Sequence, residues 1–72
     1  MEEPQPRVIC HIEDQLQRNG MTLTQLSEQV GVSLANLSVL KNNRAKAVRF
    51  TTLVALCSVL DCQPGDLFTV VR

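Results

Sequence analysis

The segment Thr22 to Lys41, TLTQLSEQVGVSLANLSVLK, constrains the fold more than any other stretch of the 72-residue chain. Leu23, Leu26 and Val30 recur at helical spacing before Gly31, and Leu37 and Leu40 do so after it. Thr22 followed by Gln25 spells a capping box, in which the hydroxyl accepts from an early backbone amide and the glutamine reaches back; Met21 supplies a hydrophobic staple. Gly31 readily takes the left-handed conformation of a sharp turn, so the first helix stops near Val30. Ser33 then caps the next helix. The pattern predicts two short helices, the second from about Leu34 to Lys41, joined by a tight turn: a helix-turn-helix. Asn42-Asn43 favours termination of the second.

The flanking sequence adds three further helical stretches. From about Ile12, the apolar pair Ile12 and Leu16 with the polar set Glu13, Asp14, Gln15, Gln17 and Arg18 fits a first helix ended by Asn19-Gly20, and acids near its start suit the helix dipole. After a linker through Val48, Phe50, Leu53, Val54, Leu56, Cys57 and Leu60 make a strongly apolar helix, expected as the central core element with Thr51 as its cap. Pro64-Gly65-Asp66-Leu67 makes one more turn, proline near its start. Asp61, near the end of the apolar helix, and Asp66, at the start of that turn, read as structural acids. Val8-Ile9-Cys10 and Leu67 to Val71 are strand-like runs that can pair as a small antiparallel ribbon, within one subunit or between two. The expected architecture is a mainly α bundle of about five short helices in one domain over residues 8–72, preceded by a flexible leader over 1–7. So small a domain buries a modest share of its surface, and a dimer is the expected source of further stability.

Charge distribution says more than total charge, which is zero. Between Glu28 and Asp61 there is no acid, and the bases Lys41, Arg44, Lys46 and Arg49 all fall in that gap. Such a cluster suits phosphate contact, although a short basic run also occurs as an ordinary solvated loop. No stretch approaches the ~18 apolar residues needed to span a bilayer, and no signal-peptide pattern opens the chain, so a cytoplasmic location is expected. Cys10, Cys57 and Cys62 are then expected as reduced thiols packed like small hydrophobes. With His11 they compose a formal Cys3His set, but the spacing lacks the close ligand pairs of structural zinc sites. No metal or cofactor is expected, and His11 reads as an exposed or helix-capping residue. The chain carries no carboxylate pair, nucleophile motif or glycine-rich phosphate loop, which argues against an enzyme.

With the glycine turn, the capped second helix and the apolar positions in place, residues 8 to 71 resemble the Xre type of helix-turn-helix regulator, the lambda-repressor-like or Cro-type family. The likeness is to small single-domain members in which a strand precedes the first helix and whose tail is similar to LDCQPGDL, here Leu60 to Leu67. The resemblance implies a bundle of about five helices that binds operator DNA as a homodimer and regulates transcription, often negatively. It places the small residue at the contact of the two motif helices on Ser27. It also places the backbone-contacting segment on Asn42, Asn43, Arg44 and Lys46, with Arg49 a further candidate. Where members of the family often carry glutamine or arginine for base edges, this chain has Leu34 and Ala35, with Val39 one turn later, and Leu23 replaces a glutamine frequently found at the start of the second helix.

The base-reading candidates are therefore Leu34, Ala35, Asn36, Ser38 and Val39. The phosphate-contact candidates are Thr22, Ser33, Lys41, Asn42, Asn43, Arg44, Lys46 and Arg49. Apolar side chains can pack on thymine methyl groups, which implies a preference for A·T-containing half-sites. The function expected is that of a sequence-specific DNA-binding transcriptional regulator, a repressor acting as a homodimer on double-stranded DNA. The competing class is a protein-interaction module, antitoxin-like or co-regulatory, that docks a protein partner on the apolar face of Leu34 and Val39.

Overall fold

A computed structural model describes residues 5–72. The elements are strand β1 (Arg7–Cys10), helices α1 (Ile12–Asn19), α2 (Leu23–Val30), α3 (Leu34–Lys41), α4 (Phe50–Leu60) and α5 (Pro64–Leu67), and strand β2 (Phe68–Val71). The two strands pair antiparallel within the one chain, Arg7 opposite Val71 and Cys10 opposite Phe68, so the ribbon is intramolecular. Most of the leader expected over 1–7 lies outside the described residues; Arg7 already belongs to the ribbon.

Helix boundaries follow the local chemistry. Thr22 Oγ1 accepts from the Gln25 amide at 3.1 Å while Gln25 Oε1 accepts from the Thr22 amide at 2.9 Å, a complete capping box. Gly20 (φ 59°) and Gly31 (φ 71°) end α1 and α2 in the left-handed region. Asp61 ends α4 in the same region (φ 50°), and Asp66 accepts from the Gln63 amide to close a second capping box at α5. Thr51 does not cap α4: the N-cap is Arg49, which makes no side-chain capping bond, and Thr51 lies inside the first turn. A helix with apolar residues on every side has no polar stripe to mark where it starts.

Every helix contributes to one core of Ile12, Leu16, Leu26, Leu37, Leu40, Leu56, Leu60 and Leu67, with Met21, Leu23, Val30 and Cys57 among the half-buried residues packed around it. Each such leucine, fully buried, stabilises the fold by about 1.5–3 kcal/mol before entropy is counted. Phe50 and Val54 are not core residues; they are 82% and 64% exposed on the outer side of α4. Side-chain hydrogen bonds between elements add to the packing. Asn19 Nδ2 donates to the Leu60 carbonyl at 3.2 Å, fastening α1 to α4, and His11 bonds Thr69 Oγ1 through Nε2 at 2.8 Å. His11 thus occupies the N-cap position of α1 without a side-chain capping bond and braces β2 instead.

All three cysteines are free, half-buried thiols. Burial pushes the Cys10 thiol up, opposed by a backbone hydrogen bond at Ile12. Burial also raises Cys62, helped by the neighbouring Cys57 and by Asp66. Among the described residues no group of three or more His, Cys, Asp or Glu side chains is placed to hold a metal ion, and no helix is long and apolar enough to cross a membrane.

Candidate nucleic-acid interface

The second motif helix, α3, is held from behind and presented in front. Leu37 and Leu40 are buried against the core, which leaves Leu34 45% and Val39 42% exposed, with Ala35 and Asn36 also open to solvent. Ser38, expected on the open face, is half-buried and its hydroxyl accepts from Asn42 Nδ2 at 3.3 Å. At the front of the helix Ser33 Oγ accepts from the Asn36 amide at 3.1 Å. A hydroxyl that accepts one bond keeps its own O–H, so Ser33 and Thr22 can each cap a helix and still donate to a phosphate oxygen. Ser27 Oγ donates to the Val32 carbonyl at 2.5 Å, fixing the turn between α2 and α3 at the place where the two helices meet.

The end of α3 turns back on itself. The Asn42 amide donates to Ser38, that of Asn43 to Leu40 and that of Arg44 to Val39, at 3.0, 3.1 and 3.0 Å, with Asn43 in the left-handed region (φ 62°). These bonds answer carbonyls that a helix end leaves without partners. The segment 44–49 consequently runs back beside α3 and encloses with it an open concavity of about 630 Å³. Ser33, Asn36 and Val39 line it together with Arg44, Lys46 and Arg49, and Thr51 and Thr52 at the start of α4 complete it. No carboxylate lines it, because its lining falls inside the acid-free stretch of the sequence.

Three of the four bases therefore share one surface with the open side of α3. Lys41 stands apart, half-buried and paired with Glu13 at 3.3 Å, so part of its charge is already compensated. Asn42 and Asn43 are exposed at the turn, and the Asn43 side-chain oxygen accepts from the Cys10 amide at 2.7 Å. Leu34 and Ala35 are exposed at the start of α3 outside the lining of the concavity, and Thr22 lies at the head of α2. Thr51, expected as a helix cap, and Thr52, which no sequence pattern marks, come to the same surface through the folded-back segment.

The comparisons with known proteins agree with this geometry. Residues 11–72 match the model of the Cro/C1-type HTH DNA-binding domain. The chain is 52% identical over 60 residues to the uncharacterized HTH-type transcriptional regulator YozG of Bacillus subtilis (strain 168), covering 83% of this chain and 71% of that relative. Among solved structures it is similar to the transcriptional regulator VanUg, with a TM-score of 0.78, 29% identity, and coverage of 100% of this chain and 95% of the other. It is also similar to a chain of the SinR protein/SinI protein complex, with a TM-score of 0.70, 26% identity, and coverage of 75% of this chain and 52% of that one.

Proposed function

The chain belongs to the Cro/C1-type helix-turn-helix DNA-binding family, and from that premise we propose that it represses transcription in the cytoplasm by occupying operator DNA as a homodimer, with α3 in the major groove. The observation that carries this reading is the concavity that joins the open side of α3 to Arg44, Lys46 and Arg49 with no acid between them. An α-helix with its side chains is about 10–12 Å across and the major groove about 12 Å wide, so α3 can enter while the folded-back segment meets the phosphates at the groove edge.

In this mechanism Arg44, Lys46 and Arg49 hold the backbone, with Thr22, Ser33 and Asn42 as neutral donors and Lys41 available once it leaves Glu13. Asn36 hydrogen-bonds a base edge. Leu34, Ala35 and Val39 pack on thymine methyl groups, and Ser38 adds a polar contact at the inner edge of the helix. A test is fluorescence anisotropy with duplex DNA over a salt series. The reading requires log affinity to fall linearly with log salt, with about 0.9 of slope per phosphate held, hence about 5 to 6 for the homodimer if Arg44, Lys46 and Arg49 each hold one phosphate in both protomers. Binding that is absent, or indifferent to salt, contradicts it.

The exposure of Leu34 and Val39, together with a structural neighbour solved as a SinR/SinI protein complex, supports one alternative, docking of a protein partner on that face. A stoichiometric co-purifying protein lost on Leu34→Asp and retained on Arg44→Ala would favour it.

A further inference from the structure

We infer that Asn43 is a positioning residue for DNA binding: its side chain latches strand β1 to the end of α3 and so sets Arg44 over the concavity. The inference rests on the DNA-binding reading and gives Asn43 a role that does not depend on touching a phosphate.

The observations are local and independent of one another. Asn43, two residues past the end of α3, is in the left-handed region, φ 62°, a position where glycine costs least and asparagine is the next most tolerated. Its Oδ1 accepts from the Cys10 amide at 2.7 Å across 33 residues of sequence. Cys10 is the last residue of β1 and stands opposite Phe68 of β2, so the bond ties the whole ribbon to the turn. The next residue is Arg44, whose own amide donates back to Val39 at 3.0 Å. Arg44 thus leaves the turn from a backbone held at two points: its own bond to α3, and the latch of its neighbour to the ribbon. The oxygen that closes the latch is an acceptor, as a phosphate oxygen is, so the latch and a phosphate contact would use different atoms of the amide, and the latch needs no DNA to form. The glycine alternative would make the same turn with no latch, so the turn alone does not call for an amide side chain.

The two roles separate in a salt titration. Asn43 is uncharged, so losing a direct phosphate contact from it would lower affinity without altering the number of counterions released, whereas displacing Arg44 removes a charged contact and makes the salt slope shallower. Asn43→Gly is the variant of choice because glycine keeps the left-handed turn and removes only the latch. The expected result is faster hydrogen exchange at the Cys10 amide, DNA affinity lower by about threefold to tenfold at moderate salt, and a slope shallower by up to about 0.9 per protomer. In the Arg44→Ala background the same change should cost less than about twofold and leave the slope alone. An unchanged slope, or an equal loss in both backgrounds, overturns the positioning role while DNA binding by the wild-type protein stands. No salt-dependent binding by the wild-type protein removes the DNA-binding reading and the inference with it. Circular dichroism and urea unfolding of Asn43→Gly verify that the fold is intact.

Discussion

At the scale of single residues, the same amino acid does different work according to backbone angle and neighbours. Gly31 and Gly65 show this: an added Cβ would meet no atom within 4 Å at either, but only Gly31 has a positive φ. Gly31→Ala should therefore destabilise by about 1–2 kcal/mol in urea unfolding, whereas Gly65→Ala should be neutral or stabilising by up to about 1 kcal/mol. Equal effects would refute the role given to the left-handed turn. If Asn36 hydrogen-bonds a base edge as proposed, Asn36→Ala should reorder the ranking of operator variants, a good base contact being worth ~1–3 kcal/mol; an identical ranking would remove it from base reading. The thiols of Cys10 and Cys62 are pushed above the ordinary value of 9.0 chiefly by burial. The unfolded chain then loses these protons first, so stability should be flat below pH 9 and fall as pH rises beyond it. Double replacement by alanine should flatten that alkaline decline in a pH series of urea midpoints.

At the scale of elements, α3 is useful because its inner and outer sides are served by different residues. Leu37 is fully buried and Phe50 is 82% exposed; Leu37→Ala should cost about 2–5 kcal/mol, and Phe50→Ser should stay within about 0.5 kcal/mol of the wild-type protein. The motif helices were legible in the sequence because Thr22, Gln25, Gly31 and Ser33 are local signals that act within one turn. The outward position of Phe50 and Val54 was not, since α4 has apolar residues on all sides and only packing chooses which side is inner. The ribbon register was equally hidden, because strands of four residues at opposite ends of the chain carry no turn to set it. Of the candidate site, the basic cluster and the open side of α3 could be read directly from charge and spacing. Three features could not: the Lys41–Glu13 pair, the Asn43–Cys10 latch, and the approach of Thr51 and Thr52 each depend on contacts or folding back that no local pattern records.

At the scale of the whole molecule, a net charge of zero is compatible with binding a polyanion because the charges are segregated. The acids lie outside the stretch from residue 29 to 60, and three of the four bases inside it line one concavity. In the proposed function this surface reads DNA as a symmetric pair of half-sites. It is tested most directly by incubating the purified protein with a random duplex pool at near-physiological salt and sequencing the bound molecules over several rounds. A homodimer that reads DNA through α3 should enrich paired half-sites, rich in A·T pairs, with centres about 10–10.5 base pairs apart or at a multiple of that. A folded protein that enriches nothing, or enriches single sites without a partner, would contradict it.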